Sequence, residues 1–541
     1  MAAAISFVTF MAFAFFCWRR MLRYLHIFQQ DEYDASRFLP WLAGKIAFDK
    51  KVSFALILLA IFAVLIQNAI FMTWPVDAPE SGTTITGLIG LLFATAGLME
   101  PNPLKAAKKK LILTNRAKRI LAAGLVLALS AGAIAAVIGG SLIWLAAVHA
   151  IPLAMVLGNW LLKPVEASIQ KGFQVAAEKR LREVGPKIIG ITGSFGKTSV
   201  KHILGHVLEM NTTALFTPGS VNTVMGISRI INERLADNCR YFIVEMGAYG
   251  IGSIARLCKF TPPDHGILTS IGEAHYERFK DLETVARAKF ELAEAVSARG
   301  GVMVIDESVL ERRYARQFFE QNRAMFMTVG DSESADIQIL SIVQTAAGLS
   351  VEIRDRKSTH CLFAPLYGIH HGRNMALAYA LAASLGLTAE RIIQALRTTP
   401  QITHRLEVKR HPTGATYIDD AYNANPAGIS GGLDLMQSLN KNGGRRIFVT
   451  PGVVELGTRH DAVHRELGDK AARTTDITIA VRPDRIATFI EGFKAAGTDS
   501  RLLTFTQFSE ALIWIDQNLE PSDVILIAND LPDLLERRFV S

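Results

Sequence analysis

Over the first 163 residues the apolar positions come in unbroken runs, about 2–17, 53–74, 84–99, 120–138 and 142–162, with polar positions gathered between them. The second and fifth runs are long enough to span a bilayer outright. The others are short or glycine-rich and rely on packing against neighbours. This predicts a membrane region of about five transmembrane helices over 1–163. Run 1 lacks a basic segment ahead of it and a small-residue cleavage site, and Arg19 and Arg20 follow at once, so it reads as an uncleaved anchor. From 164 the pattern changes: Glu166, Lys171, Lys179, Arg180 and Arg182 mark a polar connector helix over 164–186. Beyond 187, short β-branched stretches alternate with helical periodicity. Tyr241-Phe242-Ile243-Val244 reads as a strand ending at Glu245, and 263–269 as another ending near Ser270. Helical stretches follow at 279–299 and 374–386. Alternation of this kind implies a mostly parallel α/β sheet with its site at the carboxyl edge.

Charge orients the apolar part. The segment 18–52 carries Arg19, Arg20, Arg23, Arg37, Lys45, Lys50 and Lys51. The segment 100–119 carries Lys105, Lys108, Lys109, Lys110, Arg116, Lys118 and Arg119. The intervening 75–83 and 139–141 hold only Asp77 and Glu80 as charges. The positive-inside rule puts both basic segments, and everything after Lys163, in the cytoplasm of a bacterial inner membrane, with the N-terminus outside. The formal charge of +8 comes with no aromatic interleaving, which favours membrane topology over nucleic acid. Runs 2–5 contain no Asp, Glu, Lys or Arg, so an anchor or a platform for a lipid-linked substrate fits better than an ion path. Cys17, Cys239, Cys258 and Cys361 have neither metal nor disulfide spacing.

Residues 190–199 supply the chemistry. Gly190-Ile191-Thr192-Gly193-Ser194-Phe195-Gly196-Lys197-Thr198-Ser199 follows a buried-strand pattern and opens a helix. It is a P-loop variant of the form Thr-Gly-Ser-x-Gly-Lys-Thr, whose backbone N–H groups and helix dipole suit a polyphosphate. Lys197 would reach the β/γ-phosphates and the Thr198 hydroxyl would ligate Mg²⁺. ATP and Mg²⁺ are therefore the expected cofactors.

From this loop onward the chain resembles the Mur ligase family, and within it the MurF-type branch that adds D-alanyl-D-alanine to a muramoyl tripeptide. The resemblance covers about 187–465 and rests on motifs in the family's order. Thr192, Gly193, Ser194, Gly196, Lys197, Thr198 and Ser199 form the first, and Gly219–Gly226 keeps Asn222 with Ser220 in place of an Asn. Glu245-Met246-Gly247-Ala248 is similar to the element whose carboxylate holds Mg²⁺. Ile271–His275 matches the segment with a metal-binding His, with Ser270 in place of the usual Asn. Lys289 aligns with a lysine that the family typically carbamylates. Gly368-Ile369-His370 and Asn374 resemble an adenine-side motif. His404-Arg405-Leu406-Glu407 opens the C-terminal part, with His404 where the MurF type has Gly. Asp419–Pro426 and Pro451–Gly457 complete the series.

The resemblance implies a fold of an α-helical transmembrane region plus α/β: a P-loop Mur-ligase central domain over 187–400 and a smaller Rossmann-like C-terminal domain over 401–541. It implies catalytic roles for Lys197, His275, Lys289 and Arg405, and metal ligation by Thr198, Glu245, His275 and Lys289. Nucleotide contacts would add Asn374, Arg405 and Asp420, and substrate contacts Asn222, Tyr422, Asn423 and Asn425. Simpler readings compete: an ion pair of Lys289 with Glu291, and an N-cap role for Asn374. Glu455 is as readily structural as catalytic, and His370, His371 and His464 stay unassigned.

Two departures concern substrate. Membrane runs stand where the family's UDP-sugar domain would be, and Ala528-Asn529-Asp530 stands in place of the family's Lys-Gly-Ser. The implied activity is a membrane-bound ATP-dependent amide ligase of the acid–amino-acid type. It would join a small-molecule or lipid-linked carboxylate to an amine donor on a cell-wall precursor, with no nucleic acid partner and homo-oligomerisation possible. The alternatives are a poly-γ-glutamate or capsule-type synthase and a P-loop ATPase driving transport.

Overall fold

The computed structural model describes residues 2–31, 33–43, 50–73, 79–104, 111–272, 279, 281–356, 358–421, 425–441, 443–454 and 456–529. Among the described residues, those up to Gln170 form one compact unit and those from Lys171 to Asn529 form another.

The first unit is helical: α1 (Ala2–Gln30), α2 (Ala35–Ala43), α3 (Lys50–Thr73), α4 (Pro79–Met99), α5 (Asn115–Ile138) and the start of α6 (Ser141–Val184). Among the described residues α1, α5 and α6 are long and apolar enough to cross a membrane. Glycines bring these helices together. A Cβ on Gly97 would enter the ring of Phe15, one on Gly132 would enter Phe13, and Gly158 faces the backbone of Gly124. Without a side chain at these points, helix backbones approach closely enough for dispersion to hold them. Phe13, Phe93 and Trp144 fill the centre with ring centroids 5.1–5.3 Å apart.

Two expectations need correcting. The segment 18–52 is not a loop: α1 continues through Gln30, and α2 follows. Arg20 is thereby buried and donates Nε–H to Oε1 of the buried Glu100 at 2.5 Å. The connector 164–186 is not a separate helix either. It is the continuation of α6, which runs 44 residues through Pro152 and Pro164. Arg119, in the second turn of α5, clamps Glu166 of α6 with two hydrogen bonds of 2.5 and 3.0 Å. Lys45 and Lys105–Lys110 lie outside the described residues.

The second unit contains two sheets. The first is nine-stranded, ordered β2-β3-β1-β4-β5-β6-β7-β8-β9. Its strands are β1 (Lys187–Thr192), β2 (Ala214–Phe216), β3 (Tyr241–Glu245), β4 (His265–Leu268), β5 (Met303–Asp306), β6 (Phe326–Gly330), β7 (Ile337–Thr345), β8 (Gly348–Asp355) and β9 (Ser358–Ala364). The strands from β2 to β7 are parallel, and β7, β8 and β9 form an antiparallel meander. β3 is buried at every position and β1 at all but its first, because helices cover both faces, as a parallel sheet requires. Ile189 and Ile191 pack with Val200, Ile203 and Leu204 of α7 (Lys197–Glu209) on one face. Ile188 and Phe242 pack with Leu292 and Val296 on the other.

The second sheet is ordered β10-β11-β15-β12-β13-β14, built from β10 (Glu407–Arg410), β11 (Thr416–Asp420), β12 (Arg446–Thr450), β13 (Ile477–Val481), β14 (Arg501–Phe505) and β15 (Val524–Ala528). All its pairings are parallel except β10 with β11. Chain order reverses around β15, which opens a crevice at the carboxyl ends of β11, β15 and β12.

Candidate active site

β1 ends at Thr192, and the chain turns through Gly193 (φ 152°) and Gly196 (φ 82°) into α7. Both glycines are needed. A Cβ on Gly193 would collide with Thr269, and one on Gly196 would stand 2.6 Å from Oδ1 of Asn374. The neighbouring loop fastens the turn. Ser194 N–H donates to Ser270 O at 2.9 Å, Phe195 N–H to Ser270 Oγ at 3.0 Å, and Gly272 N–H to Ser194 Oγ at 2.8 Å. The Thr192 hydroxyl donates to Met246 O at 2.9 Å. The side chains of Thr192 and Ser194 therefore brace the turn. The amides left for an anion are those of the first turn of α7, at Lys197, Thr198 and Ser199, which have no intrahelical acceptor. Lys197 Nζ, meanwhile, donates to Gly193 O at 2.7 Å and Ser194 O at 3.2 Å.

At the end of β3, Glu245 Oε2 accepts the Thr198 hydroxyl at 2.9 Å and Lys201 Nζ at 3.0 Å. Lys201 is wholly buried, donates also to Gly219 O, and was missed from sequence. The signal was present: four residues beyond Lys197, it lies on the same face of the helix. Ser220 Oγ stands 3.5 Å from Thr198 Oγ1, and the Asn222 amide lies against Gly247, so the 219–222 loop joins this end of the sheet. A hydroxyl beside a carboxylate is a hard oxygen set that suits a divalent cation.

Lys289 sits on the helix Leu282–Ser297 and is 5% exposed. Its expected alternative partner is engaged elsewhere: both Glu291 oxygens accept N-terminal amides of the helix Ser253–Phe260, one from Gly252 N–H and one from Ala255 N–H at 2.8 Å. Burial, and secondarily the charge of Lys197, hold the Lys289 amine well below the usual lysine range. A neutral buried amine is the form that adds CO₂, and the resulting carbamate would supply the anionic oxygens that this position lacks. His275 lies outside the described residues.

Asn374 is in the second turn of the helix His370–Ser384, not at its cap, and its amide stands 3.3 Å from His371 Nδ1. Burial first, then the charge of Arg405, pushes His370 down to about 4; burial likewise keeps His371 neutral. Arg405 belongs to the segment entering β10, yet its charge acts on Lys197, Lys201, His370 and Asp420. Charges from both sheets thus act on one another here, with Lys197, Lys201 and Arg405 close enough to interact, a setting for a polyanion. Burial raises Asp420 to about 7 against the pull of Arg405, and its Oδ1 accepts Leu406 N–H at 3.3 Å. Asn425 caps the following helix by accepting Gly428 N–H at 2.8 Å. Tyr422, Asn423 and Glu455 lie outside the described residues. His464 is structural: it is buried, and its Nε2 accepts Val453 N–H at 3.0 Å.

The two α/β parts have known counterparts. Residues 191–382 match the Mur ligase middle domain, and residues 404–529 match the Mur ligase glutamate ligase domain. Over these two domains the chain belongs to the Mur ligase family. It is similar to the UDP-N-acetylmuramoyl-tripeptide–D-alanyl-D-alanine ligase of Bacillus subtilis, at 28% identity over 361 residues, covering 65% of this chain and 75% of that one. The ligase of the same name from Mycobacterium tuberculosis is 29% identical over 368 residues, covering 63% and 70%. In fold, a MurF structure from Acinetobacter baumannii superposes with a TM-score of 0.59 at 24% identity, over 68% of this chain and 78% of that one. MurF from Thermotoga maritima in complex with ADP gives 0.56 at 22% identity, over 68% and 81%.

In this Mur ligase the neutral Lys289 predicts a carbamate. ¹³C-bicarbonate added to the protein should give a carbamate resonance that Lys289→Ala removes, and short carboxylic acids should restore part of that variant's lost activity. Asp420 predicts a pH effect with a definite sign. Its folded-state value, about 7, lies above an unfolded value of about 3.9, so its contribution to stability is complete below the latter and is lost as pH rises through 7. Between pH 6 and 8 the melting temperature of the wild type should fall relative to that of Asp420→Asn.

Proposed function

We propose that this Mur ligase is an ATP-dependent amide ligase of cell-wall synthesis that works at the cytoplasmic face of the bacterial inner membrane. The observation that carries the ligase reading is the gathering of Glu245, buried Lys289 and Arg405 about the P-loop, with Thr198 bonded to Glu245 and the charges of Lys197 and Arg405 felt across the site. The named relatives add a muramoyl tripeptide as acceptor and D-alanyl-D-alanine as amine.

The chemistry follows from the cations. A carboxylate oxygen of the acceptor attacks the γ-phosphorus of ATP, the bond to the β-γ bridging oxygen breaks, and ADP leaves. The amine then attacks the acyl phosphate carbonyl and phosphate departs. Charge on the transferring phosphoryl group is stabilised by Lys197, by the first-turn amides of α7 and by Arg405. Mg²⁺, held by Thr198 and Glu245 and by carbamylated Lys289 with His275, would supply further neutralisation of the phosphates. Because Arg405 and Asp420 come from the second sheet, the site is complete only with both domains together, which keeps water from the acyl phosphate.

The membrane part of the reading rests on helices long and apolar enough to cross. In the helical unit, Arg20 with Glu100 and Arg119 with Glu166 mark the end from which α6 leads on to residue 171. A helical unit ahead of the P-loop domain, where a UDP-sugar domain would stand, favours a lipid-linked acceptor.

The full-length protein in membranes, given ATP, D-alanyl-D-alanine and UDP-linked or lipid-linked muramoyl tripeptide, should yield the pentapeptide product by mass spectrometry. Lys197→Ala should lower the rate at least 10²-fold, about 3 kcal/mol of transition-state stabilisation, with little change in melting temperature. Wild-type turnover in that variant would end the P-loop assignment. Topology is checked separately: a reporter after Glu80 should appear outside, and reporters after Lys110 or at Ser541 in the cytoplasm.

A further inference from the structure

Two lysines lie one turn apart on α7, and they hold different things. Lys197 Nζ bears on the P-loop, through Gly193 O and Ser194 O. Lys201 Nζ reaches the neighbouring strand end instead, donating to Glu245 Oε2 at 3.0 Å and to Gly219 O. Lys201 is wholly buried and its carboxylate partner nearly so. Burying an ammonium is costly even when it is paired, and apolar packing often holds such elements equally well. That packing is at hand: Val200, Ile203 and Leu204 of the same helix all lie in the core. The charge is therefore placed for what it holds, not for the stability of the fold.

What it holds is a junction. Glu245 Oε2 accepts both Lys201 and the Thr198 hydroxyl, the latter at 2.9 Å. Thr198 thus gives its proton to the carboxylate and keeps its lone pairs to offer. No described residue donates to Glu245 Oε1, so that oxygen is the one left to a divalent cation. On the other side, Gly219 turns the chain at φ 50° and its carbonyl is pinned by Lys201. The loop continues past Ser220, whose Oγ is 3.5 Å from Thr198 Oγ1, to Asn222. The Asn222 amide lies so close to the strand end that a Cβ on Gly247 would stand 2.9 Å from its Nδ2. Thr223 then caps the helix Val224–Arg234 by accepting Gly226 N–H at 3.3 Å. One ammonium group is bonded at once to the metal-side carboxylate and to the base of the loop that carries Asn222.

We propose that Lys201 is a positioning residue that couples metal–nucleotide binding at Glu245 to acceptor binding at the 219–222 loop. This rests on the ligase reading above, with Asn222 on the acceptor side. A cation drawing on Glu245 Oε1 changes the hold of the carboxylate on Lys201, and Lys201 passes the change to Gly219 O. Two hydrogen bonds through one buried group connect the two sites. The coupling is reciprocal: the factor by which metal and nucleotide favour the acceptor is the factor by which the acceptor favours them. The role is geometric, and no proton or bond is transferred through the lysine.

The test measures binding rather than turnover, by titration calorimetry on the full-length protein in detergent. A non-hydrolysable ATP analogue with Mg²⁺ is the nucleotide probe, and UDP-linked and lipid-linked muramoyl tripeptide are the acceptor probes. In the wild type the Mg²⁺–analogue complex should tighten acceptor binding about tenfold, and the acceptor should tighten the complex by the same factor. Lys201→Met removes the charge and both hydrogen bonds at similar length. Lys201→Gln removes the charge but keeps a donor, and serves where the Met variant does not fold. Both should bind the Mg²⁺–analogue complex at least as tightly as the wild type, because Glu245 has lost a competing cation. Mg²⁺ should raise their melting temperatures more than it raises that of the wild type. In both, the coupling factor should fall to within about twofold of unity. Coupling of wild-type size in a folded variant, loss of Mg²⁺–analogue binding in both, or failure of both to fold would overturn the proposal. A wild type that binds nucleotide and acceptor without coupling overturns it alone. A wild type that fails to bind the nucleotide, or both acceptors, overturns the ligase reading and the proposal with it.

Discussion

Everything in the site is referenced to one buried carboxylate. Glu245 ends β3, and its Oε2 takes hydrogen bonds from Thr198 and from Lys201, two residues of the helix that the P-loop opens. Lys201 is wholly buried and also holds the backbone at Gly219, so a single ammonium group ties the phosphate helix, the strand end and the 219–222 loop. Removing one partner of such a pair leaves an uncompensated buried charge, which costs about 3–5 kcal/mol. The parallel register puts this carboxylate beside the P-loop: Ile191 pairs with Glu245 across β1 and β3, and Thr192 with Leu268 across β1 and β4. The loop after β4 then bolts Ser194 and Phe195 in place.

What the sequence disclosed, and what it withheld, divides along a physical line. Local patterns were legible. The β-branched run before Gly193 is a strand because both its faces are covered, and Tyr241–Glu245 is buried throughout for the same reason. The P-loop residues were legible because the turn and helix are contiguous in the chain. Contacts made across the chain were not. Nothing near Ser194 announces that its hydroxyl and amide serve residues 270–272, and Asn425 carries a motif that does not reveal its capping bond to Gly428. Glu291 lies two residues from Lys289 and invited an ion pair, but helical geometry turns it to the amides at the start of the helix Ser253–Phe260. The helix bounds of the first unit were blurred for another reason: charges such as Arg20 end a hydropathy run without ending a helix, because Glu100 meets them inside the bundle.

The departures from the MurF type share a feature. His404 stands where that type has glycine, and Asn529 stands at the glycine of its Lys-Gly-Ser; both keep a left-handed backbone, at φ 58° and 66°. Asn529 holds its position by donating Nδ2–H to Gly452 O at 2.7 Å and N–H to Asp420 O at 3.1 Å. Glycine reaches this backbone freely, so what differs at both positions is the side chain presented.

One consequence follows from Arg405 lying within reach of Lys197 and Lys201. Cations contributed by two different domains act on one another there, and Glu245 beside Lys197 and Lys201 offsets part of that charge. A polyphosphate bound there would give both domains a shared counter-charge. A nucleotide would in this sense be a mortar as well as a reagent.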